Sequence, residues 1–362
     1  MRTWAQCSET AFLGNIHAIQ KMLGKTRLLG IVKANAYGHG AVQAAKLLVQ
    51  EGAAMLAVAT LSEAIELRNA GISHTILILG PTESTFFRDL IEYDLTQAIA
   101  DLGYAERYSN AAKWLNKTLK CHLKLDTGMG RLGFTEPFDA VRATSLNGLE
   151  FEGVFAHFAV SDVADGEEYT LAQLEKFKGL VCDIEQGSGV KFRLKHMANS
   201  GGIESFPQSH LDIARPGIVL YGYPATGANA DIRPVMELKT RIVQVKQLNK
   251  GDSVSYGRRF VAAEPTTIAV LPIGYADGLS RSLTGRLKVL VGGKVAQQIG
   301  TICMDMCMID VTDVKGVQAG DIVTVFGREK GFTAQEMAEL RGTIPYEVLC
   351  NVAARVPRVW AE

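Results

Sequence analysis

Short apolar runs alternate with amphipathic, helix-length segments through roughly the first 230 residues of the chain. The runs lie at 28–32, 55–59, 75–79, 95–98, 119–125, 151–157, 192–197 and 211–214, and each suits a buried strand. Segments with helical spacing separate most of them: 41–49, 63–70, 85–92, 104–115, 140–146 and 171–185, with another at 12–23 ahead of the first run. The link at 201–206 has room for one small helix. Eight strands alternating with helices predict a closed parallel (β/α)8 barrel of the TIM-like kind. An open doubly wound sheet is the alternative, weakened because no G-x-G-x-x-G follows the first strand.

Near residue 230 the pattern changes. Strand-like runs at 235–248, 253–256, 266–271, 287–291, 294–299, 307–311 and 322–326 are separated by glycine-containing turns. One helix at 333–341 and a closing strand at 355–360 complete the pattern. The expected architecture is therefore α/β: a barrel over 1–230 followed by a mostly β domain over 231–362, with a linker at 224–228. Residues 1–8 carry a further short strand, at 3–7, that is free to join the β domain.

Composition narrows the function classes. The 362 residues carry 38 basic and 38 acidic side chains, so no net charge recommends nucleic acid or an anionic membrane as partner. No apolar run approaches the roughly 20 residues of a membrane span, and the amino terminus has no apolar signal-peptide block, so a cytoplasmic location is expected. The six cysteines are scattered and are expected to be reduced and mostly in the core. Without a CxxC pair or clustered histidines, no metal site is expected.

Candidate chemistry gathers at predicted strand ends. The run 28–32 leads straight into Lys33, followed by Ala34-Asn35-Ala36-Tyr37-Gly38-His39-Gly40, which breaks the strand. A lysine with an apolar approach at a barrel mouth is desolvated, which lowers its pKa and suits imine chemistry; a lysine that simply snorkels to water is the plainer reading. The seventh and eighth strands end in His196-Met197-Ala198-Asn199-Ser200-Gly201-Gly202 and Arg215-Pro216-Gly217-Ile218. Barrels often bind phosphate in these two loops, although both also read as ordinary turns. A strand-end lysine facing a phosphate site suits pyridoxal 5'-phosphate, and equally a Schiff-base aldolase. Arg215 favours the former if it faces the pyridine nitrogen, because an arginine keeps its proton and makes the ring a weak electron sink; a surface ion pair is the competing role. The fifth strand ends in Lys124-Leu125-Asp126, with Lys124 and Asp126 on one face, and Arg131 follows, able to grip a carboxylate. His157 closes the sixth strand and is either structural or a relay beside Arg215.

Nine blocks taken together resemble the alanine racemase family: VKANAYGHG (32–40), LDTGMGRLGF (125–134), HFAVSD (157–162), HMANSGG (196–202), RPGIVLYG (215–222), SYGR (255–258), IGYADG (273–278), ICMDMCMID (302–310) and IPYEVLC (344–350). The resemblance covers nearly the whole chain in order. It implies a head-to-tail homodimer that racemises alanine with pyridoxal phosphate and supplies D-alanine for cell-wall synthesis. By resemblance, Lys33 holds the cofactor as an imine and is one of two catalytic bases; Tyr256, from the other subunit, is the second. Tyr37, Ser200, Gly217, Ile218 and Tyr346 match phosphate contacts, and Asn199 belongs to the same cofactor-binding loop. Arg215 matches the pyridine partner and His157 a residue bonded to it. Arg131 and the partner's Met304 match substrate-carboxylate contacts, and the partner's Tyr275 and Asp305 line the access passage. Lys124 matches a lysine often carbamylated in the family. A serine or broader amino-acid racemase, a fold-related decarboxylase and a non-catalytic cofactor-binding barrel are the alternatives. No GGGFPG-like loop supports the decarboxylase.

Overall fold

The computed structural model describes residues 1–227 and 231–362. Ala228, the last residue of the expected linker, and the expected domain boundary at residue 230 lie outside the described residues.

The first strand, β1 (Thr3–Ser8), does not belong to the barrel. The barrel strands are β2 (Arg27–Ile31), β3 (Met55–Val58), β4 (Ile76–Ile78), β5 (Thr96–Ile99), β6 (Leu119–Lys124), β7 (Leu149–Phe155), β8 (Leu194–His196) and β9 (Ile213–Ala214). They pair in parallel in the order β8-β7-β6-β5-β4-β3-β2-β9. Nearly all are buried on both faces, which explains why they read as continuous apolar runs rather than alternating ones. The seam between β8 and β9 is not a regular ladder. Two backbone bonds close it, Asp212 N–H to the Lys195 carbonyl (3.1 Å) and Arg215 N–H to the Ala198 carbonyl (2.9 Å). Asp212 adds its carboxylate to the Lys195 amide at 2.8 Å. The sheet therefore closes, and the open doubly wound alternative falls.

The second part carries β10 (Met236–Arg241), β11 (Gln244–Leu248), β12 (Ser253–Val254), β13 (Phe260–Val261), β14 (Thr266–Leu271), β15 (Lys288–Val291), β16 (Lys294–Ile299), β17 (Cys307–Asp310), β18 (Ile322–Phe326) and β19 (Arg358–Ala361). Nine strands form one sheet in the order β11-β14-β17-β16-β15-β18-β10-β1-β19. The run expected as one strand over 235–248 is two. At Ile242 the amide still bonds the Asp321 carbonyl (2.9 Å), beside β18, and at Val243 it bonds Val270 (2.9 Å), in β14. The chain changes neighbour there and has to bend. The expected strand at 253–256 stops at Val254, and Tyr256 begins a short 3-10 turn. A helix over Pro345–Cys350 was not expected; proline at its first turn starts it.

One apolar core runs without a break from the barrel into the β sheet. Three of the six cysteines (Cys7, Cys121, Cys307) are buried; Cys182 and Cys350 are exposed and Cys303 is half-buried, so the thiols are less confined to the core than expected. All six are free. No helix among the described residues is long and apolar enough to cross a membrane.

Candidate active site

At the carboxyl ends of the barrel strands lies a cavity of about 550 Å³. Its wall includes Lys33, Tyr37, Lys124, Arg131, His157, Asn199, Ser200, Arg215, Gly217, Ile218 and Tyr346. Eleven expected site residues, drawn from separate stretches of sequence, thus line one space.

Lys33 follows β2 and enters a turn in which Ala34, Asn35 and Ala36 have φ of 52°, 53° and 54°. Such a left-handed run costs L-residues roughly 1–2 kcal/mol each, so contacts must hold it. Glu63 supplies one, accepting the Ala34 amide at 2.7 Å through Oε1. Its Oε2 accepts the amides of Ala59 (2.7 Å) and Thr60 (3.2 Å), closing a capping box on the Leu61–Asn69 helix. Sequence reasoning missed Glu63, although Thr60-x-x-Glu63 is a capping signature. Burial lowers the Lys33 pKa, and the nearby Arg131 charge lowers it further.

Arg215 is 4% exposed. Nη1 donates to His196 Nδ1 (2.8 Å), while Nη2 donates to the Ala156 and Met197 carbonyls (2.7 and 3.0 Å) and lies 3.3 Å from His157 Nδ1. Nε and the second hydrogen of Nη1 have no protein acceptor among the described residues, leaving open donors on a guanidinium that borders the cavity. Burial draws its pKa down to about 9, so it remains charged at neutral pH. His157 is held well below the usual imidazole range, by burial first and then by the Arg215 charge.

The loops after β8 and β9 form a cradle. Asn199 caps the Ser200–Ser205 helix by accepting the Gly202 amide (2.9 Å), and it also accepts the Ser161 hydroxyl (2.8 Å). The Ser200 hydroxyl oxygen accepts the amides of Gly217 (3.1 Å) and Val219 (3.4 Å). The Ile218 amide has no acceptor among the described residues. Gly217 needs to be glycine: a Cβ there would stand 2.7 Å from the Tyr37 hydroxyl. Tyr37 and Tyr346 lie with ring centroids 5.8 Å apart. Burial raises both phenol pKa values, keeping the hydroxyls protonated as donors.

Lys124 and Asp126 do not pair as their shared face suggests. Lys124 Nζ donates to the Leu125 carbonyl at 2.6 Å. Asp126 accepts the amides of Gly128 (2.8 Å), Gly130 (3.1 Å) and Arg131 (3.1 Å), folding the loop that carries Arg131. Burial alone would raise the Asp126 pKa, but these donors and Lys124 hold it low.

Tyr256 and Met304 lie elsewhere. They are 72% and 54% exposed and, with Asp305, line a separate cavity of about 640 Å³ on the β domain. Tyr275 joins that surface: its amide bonds the Cys303 carbonyl (3.1 Å) and the next amide, of Ala276, bonds Met304 (3.0 Å). Asp305 accepts from Arg355 Nη2 at 2.7 Å. Within one chain, then, the expected site residues fall on two surfaces.

Fold and site together define a two-domain barrel protein with an amine-bearing, anion-ready pocket at its mouth. The family model "Alanine racemase, N-terminal domain" matches residues 8–225, and "Alanine racemase, C-terminal domain" matches 235–360. The chain is 43% identical to alanine racemase 1 of Clostridium acetobutylicum, over 99% of this chain and 95% of that one. It is 45% identical to alanine racemase 2 of Caldanaerobacter subterraneus subsp. tengcongensis, over 96% and 91%. The solved alanine racemase of Clostridium difficile 630 superposes with a TM-score of 0.94 at 37% identity, covering 100% of this chain and 96% of that one. The chain belongs to the alanine racemase family and is an isomerase of that kind.

Proposed function

We propose that the protein interconverts L- and D-alanine, with pyridoxal 5'-phosphate held in the barrel mouth, and so supplies D-alanine for cell-wall synthesis. One observation carries this reading: Lys33, Arg215 and the Ser200–Gly217–Ile218 cradle line a single cavity. These residues fit the cofactor. Lys33 would hold its aldehyde, and Arg215 would donate to its ring nitrogen. Ser200, the Gly217–Ile218 backbone and the protonated hydroxyls of Tyr37 and Tyr346 would hold its phosphate, in the loop fixed by Asn199. When bound, the cofactor acidifies the α-proton of an attached amino acid by withdrawing electrons.

The chain's own residues do the rest. Arg215 keeps its proton, which limits electron withdrawal and disfavours reactions other than proton exchange. Arg131, with Met304 of a second copy, binds the substrate carboxylate. The depressed Lys33 pKa leaves more of its amine neutral, ready to take the α-proton on one face of the substrate. Tyr256 serves the opposite face. Its exposure, and its placement on a surface apart from Lys33, favour its working in the cavity of a second copy in a closed homodimer. Tyr275 and Asp305, on the same surface, would then flank the access passage.

Loss of optical rotation from L-alanine, followed together with carbon dioxide release, tests the reading. Rotation should decay to zero with no gas. Carbon dioxide release would make the protein a decarboxylase, and no change in either would leave a binding protein. Turnover of L-serine at a comparable kcat/KM would make it a broader racemase.

Lys124 bears on the same site. It is 7% exposed, and burial, followed by the Arg215 charge, draws its pKa down to about 7. Much of the amine is therefore neutral near pH 7, the form that adds to carbon dioxide. A carbamate there would place an anion among cations and orient Arg131. Branched density at Lys124 Nζ in a crystal structure is expected. Lys124→Ala should lower kcat/KM roughly 100-fold through misplacement of Arg131, with partial recovery on adding small carboxylates. Unbranched density, or no recovery, would remove the carbamate.

A further inference from the structure

Arg215 is a buried cation with no carboxylate partner among the described residues, and the structure shows where its hydrogen bonding leads. His196 Nδ1 accepts from Arg215 Nη1 at 2.8 Å. His196 Nε2 lies 2.8 Å from His122 Nδ1. His122 Nε2 lies 3.7 Å from Glu152 Oε1, and Glu152 Oε2 lies 3.2 Å from the exposed Arg193. Both imidazoles are completely buried.

The direction of this chain is fixed at one end. A guanidinium can only donate. His196 must therefore accept at Nδ1 and, being neutral, carry its proton on Nε2. His122 must then accept at Nδ1 and present its own proton at Nε2. That nitrogen has no hydrogen-bond partner among the described residues; the carboxylate it faces is Glu152, with Oε1 at 3.7 Å, beyond hydrogen-bond distance. Burial lowers both histidine pKa values, which keeps both rings neutral.

The backbone is shaped around this path. The β6–β7 register shifts between Cys121 and His122: Cys121 stands opposite Phe151 and His122 opposite Gly153, which leaves Glu152 as the extra residue of a bulge. Bulges re-aim side chains, and Glu152, the extra residue of this one, stands with Oε1 3.7 Å from His122 Nε2. Gly153 makes the room, because a Cβ there would stand 2.5 Å from the His122 ring.

We infer that Glu152 is a positioning residue for Arg215, acting through His122 and His196 from the end of the chain remote from the cavity. By attracting the terminal proton across 3.7 Å its charge favours one tautomer in both rings, and so steadies the guanidinium at the cavity wall. The His122 N–H has no hydrogen-bond acceptor among the described residues even with Glu152 present, so removing the carboxylate takes away the negative charge that favours its proton there, and ring flips or a broken His196–Arg215 bond become competitive. The inference rests on the role proposed above for Arg215, but its spectroscopic test does not depend on turnover.

The experiment uses the holoenzyme with 15N-labelled histidine, of which the chain has 7. Wild type should show His122 and His196, like His157 beside Arg215, as neutral, non-titrating rings protonated at Nε2, with slowly exchanging protons on the first two. Glu152→Gln keeps an acceptor and should retain that pattern with shifted resonances. Glu152→Leu should give mixed tautomers or fast-exchanging protons for His122 and His196, leaving unchanged the four rings that touch neither of them nor Arg215. In the kinetic arm, kcat for L-alanine should fall about tenfold in Glu152→Leu, as suits the loss of a charge facing a buried N–H, with KM little changed and Glu152→Gln between the two. If Glu152→Leu lowers only the melting temperature and leaves both the tautomers and kcat as in wild type, Glu152 is merely structural. Tautomers altered without any change in kcat would show that the chain exists but does not position Arg215. A protein with no racemase activity at all would still give the tautomer result, which separates the two failures.

Discussion

Lys33→Ala abolishes racemisation, lowering kcat/KM by at least about 10⁴-fold, and removes covalent attachment of the cofactor. The expectation follows from position and charge. Lys33 leaves β2 at the barrel mouth and lines the same cavity as Arg215 and the Ser200–Gly217–Ile218 cradle. Burial and the Arg131 charge depress its pKa, so the amine loses its proton at lower pH than an exposed lysine does. The basic form, present above that depressed value, is the one that acts. Activity in wild type should therefore fall as pH drops through a value below the roughly 10.4 of free lysine. Borohydride treatment of wild type should fix the cofactor on the peptide containing Lys33. Methylamine should restore part of the variant's activity, which separates a missing amine from a damaged fold. Label on another peptide would reassign the lysine.

Mixing two inactive variants should return activity from nothing to about a quarter of wild type. One carries Lys33→Ala and the other Tyr256→Phe, and each is expected to be dead as a homodimer. Tyr256 is 72% exposed and lines a β-domain cavity that shares no wall residue with the Lys33 cavity. If it acts across a two-fold axis, a mixed dimer has one site with both defects and one with neither. Half of a random mixture is mixed dimer, and half the sites in each are intact. Should Tyr256 act within its own chain, every site carries one defect and nothing returns. Absence of recovery, with subunit exchange verified by mass spectrometry, would exclude the shared site.

Legibility in the sequence followed the range of the interactions. The eight barrel strands were readable because their burial on both faces writes continuous apolar runs into the chain. Lys33, Arg215 and Ser200 were readable because barrel chemistry collects at strand ends, and strand ends are local features. The left-handed turn after Lys33 was not. Alanine has no preference for φ near 52°, and Glu63, which helps to hold the turn, is 29 residues away. The His122–His196 contact joins residues 74 apart and exists only once β6, β7 and β8 are paired. The break at Ile242–Val243 was hidden because both halves read as strand, and only the change of neighbour from β18 to β14 divides them.

The position of β1 between β10 and β19 bears on how the polypeptide is made. Thr3–Ser8 pairs with Met236–Arg241 on one side and Arg358–Ala361 on the other. At roughly 5–20 residues per second, synthesis separates this strand from its last neighbour by tens of seconds. The barrel segments all emerge within that interval, so the barrel can assemble while β1 is still an unpaired strand, open to a neighbouring nascent chain on the same message. A chain released before Arg358 would keep one of those edges exposed, and its instability would begin at the end of the molecule made first.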